Sequence, residues 1–442
     1  MKLKRSNIRL LISCDSALLI FCLGIFVFFP AGNTHAELKK IFSPKIEVRE
    51  IYDDNILLDY KDEKADWTTL ISPGFVLYLK SEKTDFNLDY VFTKSFYKEY
   101  DIYDGKRHDL LLNWNQSLTQ KIDFSLNDKF IKSEDPVLIK DNLVEDIIGE
   151  RGEFDRNIFN AYLRYRFKGE NSLKLNYSNQ YYKDYSLINY DSKFNQYMLS
   201  VNFQLSRRQV LNAFTLYQET DLQGNSSYKQ YEEGINYYFT YSPRTTYYSR
   251  YQFLYFDYAT LPQQVAAVNN KGHHVYAGFD ILLNQFTKLH SEIGYYMIDY
   301  DDGSSKNGGS FDIVLSREMK RFTFDFIGRG GFDQKPDIVR QNQGNKEYKE
   351  VAMKATYLLS KKMELLGLAQ YKWEDNYGFN SEPNFQDKVL YCLLNFSYFF
   401  TPDLFMFIEG ARIDRNSDFF FREFVDHRIS LGVHYKYDFN IK

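Results

Sequence analysis

The sequence predicts an all-β chain folded as a transmembrane antiparallel up-and-down β-barrel of about 20 strands, with 18 as the alternative count. Three observations carry this reading. The composition pairs 18% aromatic residues, almost all Phe (39) and Tyr (38), with 26% charged residues and a mean hydropathy of -0.48. Segments of roughly 11–15 residues recur with apolar and polar residues alternating, which gives a strand two different faces. Between those segments, short turns alternate with longer polar loops.

The same composition excludes other classes. A disordered chain is poor in aromatics. A helical membrane protein needs repeated runs of about 20 apolar residues, which this mean hydropathy does not allow. Nine Pro and 23 Gly are too few for a collagen-like or linker-like chain.

At the N-terminus, Lys2, Lys4, Arg5 and Arg9 precede a short apolar run over 18–29, closed by Pro30. Thr34-His35-Ala36 then offers small residues at the positions a signal peptidase reads. Residues 1–36 therefore read as a secretory signal cleaved near Ala36, with 37–442 as one outer-membrane barrel domain. An uncleaved anchor helix is the alternative. Phe21 before Cys22 fits a lipoprotein site badly. Without the signal the chain carries 51 basic and 58 acidic residues, a net charge of -7, so nothing points to nucleic acid. Cys14 and Cys22 leave with the signal. Cys392 remains alone, and no intramolecular disulfide is expected.

Along the mature chain the alternation can be followed strand by strand. In 85–96, Phe86, Leu88, Tyr90 and Phe92 oppose Asp85, Asn87 and Asp89. In 171–184, Leu173, Leu175 and Tyr177 oppose Lys174, Asn176, Ser178 and Gln180. In 321–329, Phe322, Phe324 and Phe326 oppose Thr323, Asp325 and Arg329. The last segment is the cleanest: Ile429, Leu431, Val433, Tyr435, Tyr437 and Phe439 oppose Ser430, Gly432, His434, Lys436 and Asp438. Segments 209–219 and 362–374 are mixed on both faces. Short turns are expected near 81–83, 119–121, 168–171, 206–208, 241–244, 284–286, 318–321, 361–362 and 401–403. Longer loops are expected at 53–65, 98–107, 135–156, 185–192, 221–227, 258–271, 300–308, 334–346, 377–385 and 416–424. That rhythm matches short periplasmic turns and longer external loops, with both termini in the periplasm.

A soluble sandwich also alternates, but its strands average about 5–6 residues. Segments twice that length suit a tilted bilayer crossing, and only closure removes the edges they would expose. Aromatics near segment ends (Tyr78, Tyr90, Phe96, Tyr97, Tyr181, Tyr182, Tyr237, Tyr238, Tyr247, Tyr248, Tyr295, Tyr296) suit interfacial girdles, although in each doublet one ring must turn inward. Ser430, Gly432, Tyr435 and Tyr437 are spaced like the C-terminal assembly signal of bacterial outer-membrane proteins, which ties the chain to barrel assembly machinery. The chain runs on to Lys442 rather than ending on an aromatic.

The opening of the mature chain reads Glu50-Ile51-Tyr52-Asp53-Asp54-Asn55-Ile56, then Asp66-Trp67-Thr68-Thr69-Leu70-Ile71-Ser72-Pro73-Gly74. It resembles the β-barrel porin 2 family of bacterial outer membranes. The motif match covers 47–79, with Tyr52, Asp53, Asp54, Asn55, Asp66, Pro73 and Gly74 as its fixed points. The resemblance implies an outer-membrane channel in a Gram-negative bacterium. It also implies an association with exopolysaccharide or capsule secretion, with a polysaccharide cargo and a polysaccharide export lipoprotein as partners. A general or nutrient-uptake porin is the alternative, and a plugged structural or adhesive barrel the second.

Polar residues opposite the apolar face are the pore-lining candidates: Arg164, Arg166, Lys174, Asn176, Gln180, Asp280, Lys288, His290, Glu292, Arg329, Lys354, His434 and Lys436, joined by Gln196 and Asn202. Both charge signs occur, so strong ion selectivity does not follow, and the same residues would equally serve as ion pairs that stiffen the lumen. A sugar path would use inward rings such as Tyr162, Tyr182 and Tyr238. Asp53, Asp54, Asn55, Asp59 and Asp62 read as a solvated loop rather than a cation site, and no metal or cofactor is expected. His290 faces about Asp280 across a hairpin, but Ser291 and the pair His273-His274 split between faces. With no nucleophile–base set, no enzymatic role is expected. Cys392 alternates with Leu390 and Leu394 and should face lipid. No long inward-folding loop is evident, and 135–156, the longest, is the plug candidate.

Overall fold

The computed structural model describes residues 38–134, 152–185, 191–222, 227–259, 268–333, 345–377, 384–418 and 422–441, with the backbone of 137–140 and 143–147. The segment read as a secretory signal lies outside the described residues. Lys39–Lys442 forms one compact unit. The strands in chain order are β1 Lys39–Asp53, β2 Asp66–Lys80, β3 Thr84–Tyr97, β4 Lys106–Ser117, β5 Ile122–Ser133, β6 Val137–Lys140, β7 Leu143–Ile147, β8 Phe154–Lys168, β9 Asn171–Asp184, β10 Ser192–Ser206, β11 Gln209–Leu222 and β12 Tyr228–Ser242. They continue with β13 Thr245–Tyr258, β14 Asn270–Asn284, β15 Thr287–Tyr300, β16 Ser305–Met319, β17 Phe322–Asp333, β18 Asn345–Ser360, β19 Met363–Tyr377, β20 Phe385–Phe399, β21 Leu404–Ser417, β22 Phe424–Lys436 and β23 Phe439–Asn440.

Twenty of these strands, β1–β5 and β8–β22, pair antiparallel with their neighbours and close into a barrel. The closing ladder joins first to last, from Lys45↔Lys436 to Asp53↔Arg428. β23 continues the last strand alongside β1, with Phe42 opposite Phe439. Closure is what long alternating strands require, because it leaves no unpaired edge to hydrocarbon. The hairpin β6–β7 forms a separate two-stranded sheet outside the wall.

Directly paired residues share a face, so register propagates the in-or-out assignment around the ring. Ile429, Leu431, Val433 and Tyr435 are exposed on the outer face, while Ser430 between them is buried inside. Val48 opposes Val433, Ile71 opposes Val48, and the apolar set passes strand by strand back to β22. One row on the outside is a chain of rings: Tyr177, Tyr197, Tyr217, Tyr231 and Tyr255 lie opposite one another on β9–β13. Their successive centroids are 5.1, 6.4, 5.2 and 6.2 Å apart. On β13 the outward ring nearest the turn end, Tyr247, lies eight residues from Tyr255, with Tyr251 and Phe253 between them on the same face. At about 3.3 Å per residue and a tilt near 40°, that spans about 20 Å.

The short turns are built from one local device. Ser81, Thr119, Ser206, Ser242, Asn284, Ser360 and Thr401 each accept, through the side chain, the backbone N–H two residues on. Both ends of the barrel wall, Lys39 and Lys436, lie at this turn end. The connection expected as a long loop over 300–308 is instead a tight turn: Tyr300 N donates to Ser304 O at 2.9 Å, and β16 starts at Ser305.

Close approach holds Gly74 and Gly432 to glycine. A Cβ on Gly74 would lie 2.4 Å from the backbone oxygen of Tyr90, and one on Gly432 would lie 2.4 Å from the Phe407 ring. Pro73, beside Gly74, has no N–H to give, and the β2–β3 ladder skips from Ile71↔Lys94 to Gly74↔Val91. The gap is bridged by the Ser72 and Thr93 hydroxyls at 2.9 Å.

Candidate functional site: the inner wall and its inward loop

Register places all thirteen pore-lining candidates on the inner face, together with Gln196, Asn202 and the rings of Tyr162, Tyr182 and Tyr238. Each aromatic doublet splits as alternation demands. Tyr181, Tyr237, Tyr247 and Tyr295 turn outward, while Tyr182, Tyr238, Tyr248 and Tyr296 turn inward. Cys392 lies on the outer face, in register with Ala369.

The inner-wall charges are organised into small neutralising groups. Arg164 donates to Asp123 through Nε at 3.0 Å and Nη2 at 2.8 Å, and Arg166 reaches the same oxygen. Lys174 lies 4.1 Å above the Tyr162 ring. His290 Nδ1 meets Asp280 Oδ1 at 2.8 Å, and its ring stacks on Tyr248. Arg250 bonds Glu292 at 2.7 Å and covers Tyr276 at 4.1 Å. Around the seam, His434 and Arg49 both reach Glu47, and Arg49 continues to Glu409 at 3.4 Å while lying over Phe407. Between these groups runs an amide ladder, with Asn236 donating to Asn212 at 2.9 Å and Asn212 to Asn202 at 2.8 Å.

Asp123, Arg250, Glu47, Arg49, Glu409, Asn212 and Asn236 are inner-wall groups that sequence reading did not single out. Asn212 was hidden because β11 is mixed: Val210, Phe214 and Leu216 share its inward side.

Exposure along the inner wall is graded. Toward the turn end, Arg164 and Arg166 side chains are 39% exposed, Asp280 56% and Lys436 42%. Toward the loop end, Asp387, Asp426, Asn270, Phe256 and Ile298 have no exposure. The buried charges are paired: Arg415 and Arg422 hold Asp387 at 2.6 and 3.0 Å, Arg428 holds Asp426 at 2.7 Å, and Lys346 and Lys372 hold Glu374. A charge removed from water requires such partners.

Among the described residues, one loop enters the barrel. The segment 54–65 was expected to be solvated; instead Asn55 and Ile56 have no exposure, and Leu58 packs on the inner-wall side chains of Leu368, Val389, Tyr391, Ile413 and Phe424. Of the plug candidate 135–156, the hairpin β6–β7 forms a two-stranded sheet of its own, and 135–136, 141–142 and 148–151 lie outside the described residues.

The residues of the opening motif tie this loop down. Asn55 Nδ2 donates to Asp59 O at 2.7 Å and to Val425 O at 2.9 Å, and its Oδ1 accepts from Asp59 N at 3.0 Å. Asp53 accepts from Asn55 N, and Asp54 from His427 N and Nδ1. Asp66 accepts the amides of Trp67, Glu99 and Tyr100. Asp59 in turn accepts the amides of Lys61 and Asp62, which hold its carboxyl below the ordinary aspartate range. Leu58 adopts φ +55°, a left-handed conformation that costs a leucine about 1–2 kcal/mol. Asp53, Asp54 and Asp426 bring carboxylate oxygens within 4.8 Å of one another, with the Arg428 guanidinium already bonding Asp53 and Asp426.

No family model and no curated protein matches the sequence. Among solved structures, the chain is similar to the FrpB iron transporter from Neisseria meningitidis, at 9% identity and a TM-score of 0.54, covering 89% of this chain and 82% of that one. The likeness is one of fold. The chain also aligns with the outer membrane protein opdK of Pseudomonas aeruginosa, at 10% identity and a TM-score of 0.42 over 90% of this chain and 99% of that one. It aligns with OprD of the same organism at 12% and 0.39, over 90% and 95%.

Proposed function

We propose that this chain is an outer-membrane channel of a Gram-negative bacterium that passes hydrophilic solutes through its lumen. The observation that carries the proposal is the division of faces. An apolar outer band edged by aromatic rows is what hydrocarbon and headgroups accept. An inner wall of ion pairs and amide ladders, half exposed toward the turn end, is what a hydrated solute accepts. As the cargo class we propose a saccharide, with a secreted polysaccharide as its specific form. Neutral amides at Asn202, Asn212 and Asn236 and the inward rings of Tyr162, Tyr238 and Tyr248 supply the hydrogen bonds and flat faces that sugars use, and the opening motif supports the same direction.

Single-channel conductance of the purified protein in planar bilayers tests the channel. Surface polysaccharide in a deletion strain tests the cargo: loss of the coat with intracellular synthesis intact is expected, and an unchanged coat removes export. The second reading is uptake of a small nutrient, and burial of the loop-end wall favours it, because a polymer needs a wide lumen along its whole length. Liposome swelling with mono- and oligosaccharides separates the two by size.

A further inference from the structure

The 12 residues 54–65 leave the wall at Asp53 and Asp66, the facing ends of β1 and β2. They do not lie over their own hairpin. Leu58 joins one buried cluster with Phe424 on β22, Ile413 on β21, Val389 and Tyr391 on β20 and Leu368 on β19, a set that extends four strand spacings from β1, or about 19 Å at about 4.8 Å per strand. The seat it occupies is an apolar island in a polar wall. Gln370 and Asp387 flank Leu368 and Val389 on the same inner face, and Arg415 flanks Ile413.

The loop has no strand or helix of its own. Its described polar ties run through Asp53–Asn55 and Asp59, with the Ile56 N to Lys64 O and Leu58 N to Asn55 O bonds inside the loop itself. Those ties are internal to the loop or lie at its stem; the Leu58 side chain meets the wall cluster by apolar contact, and its backbone is in the left-handed region. Lys61, Asp62 and Glu63 point away and are exposed. A short strained tip seated on a small apolar patch is the kind of element from which two-position gates are built.

We propose that segment 54–65 is the gate of the lumen, that Ile56 and Leu58 form its latch, and that Leu368, Val389, Tyr391, Ile413 and Phe424 form the seat. The proposal rests on the channel reading and deepens it, because it assigns the residues that decide when the path is open. Latched, the loop occupies lumen space at the loop end. Unlatched, it swings on Asp53 and Asp66 and leaves the inner wall to solute.

Planar-bilayer recordings of the full mature chain test this, with Leu58→Ser, Ile413→Ser and the double variant. Taking one leucine off an apolar seat should raise the open-to-closed ratio about tenfold or more. Because both single changes disrupt the same buried cluster, the double variant should fall short of the product of the two. Equal ratios in wild type and Leu58→Ser, or fully multiplicative effects, overturn the gate and leave the channel standing. A variant with 56–62 replaced by Gly-Gly separates the two ideas: if it too is silent, the channel reading falls and the gate with it, whereas conduction by it alone supports both. Thiol labelling does not depend on conductance. In a Cys392→Ser background, Leu58→Cys should react with a membrane-impermeant maleimide at least about tenfold more slowly than Lys61→Cys. Equal rates overturn the latch.

Discussion

Replacing Asn55 with Ala removes three hydrogen bonds from a fully buried position: to Asp59 O at 2.7 Å, to Val425 O at 2.9 Å and from Asp59 N at 3.0 Å. At about 1 kcal/mol net per bond, the inward position of the stem loses about 3 kcal/mol. The Val425 carbonyl, left without its donor on the inner face, pushes the cost upward rather than down. Since 1.4 kcal/mol is tenfold in an equilibrium, the local opening constant should rise about a hundredfold. The amide of Ile56, which donates to Lys64 O, and that of Leu58, which donates to Asn55 O, report this opening directly. Hydrogen exchange of the protein in nanodiscs should show both amides exchanging about a hundredfold faster in Asn55→Ala, while amides in β10–β15 hold their rates. If those two amides keep their wild-type protection in a folded variant, the stem is not what holds the loop inside, and the reading of the opening motif as a tether fails.

Further outcomes follow from other parts of the wall. Leu431→Arg sets a cation on the exposed outer face of β22 and should cost about 2–4 kcal/mol near the bilayer midplane, read by urea unfolding in vesicles; an unchanged midpoint would mean that face does not meet lipid. Gly74→Val drives a side chain into the Tyr90 carbonyl and should cost about 1–3 kcal/mol by the same measurement. Asp123→Asn frees Arg164 and Arg166 of their shared acid and should move the reversal potential in a salt gradient toward anions; no shift would take this cluster out of the ion path. Asp59 has a lowered pKa, so its contribution is complete above the ordinary aspartate range and is lost as pH falls through the folded value. The ratio of Leu58→Cys to Lys61→Cys labelling, in which the pH dependence of the thiolate cancels, should therefore rise in acid below that range and stay flat between pH 6 and 8 (about two units above it).

The outer face was readable because lipid demands one thing of it. Ile429, Leu431, Val433 and Tyr435 announce their side by alternation alone, and the register carries that choice around the ring. Thirteen inner-wall candidates followed from the same rule, but their partners did not, since Arg164 meets Asp123 and Glu47 meets His434 across ladders whose register no local pattern specifies. The turn at 301–304 was overextended because Gly308 and Gly309 resemble loop residues, yet they pair with Tyr296 and Tyr295 inside β16. The inward loop was missed for a related reason. Ile56, Leu57 and Leu58 are three apolar residues among Asp53, Asp54, Asp59 and Asp62, and only a seat built from four distant strands gives Leu58 somewhere to go. Tertiary placement of that kind leaves no periodic trace.

The ring is completed by its first and last wall strands, and this sets an order on its making. Until Arg428–Lys436 has been synthesised, Lys45–Asp53 has nothing to close against, and every earlier length of chain is an open ribbon with two raw margins. Such a ribbon cannot rest in hydrocarbon, where each unpaired amide is costly. The protein must therefore be carried whole to its membrane and inserted as a late, nearly all-or-none event. A chain cut short by even its final 15 residues should be found as degraded or aggregated material rather than as a smaller pore.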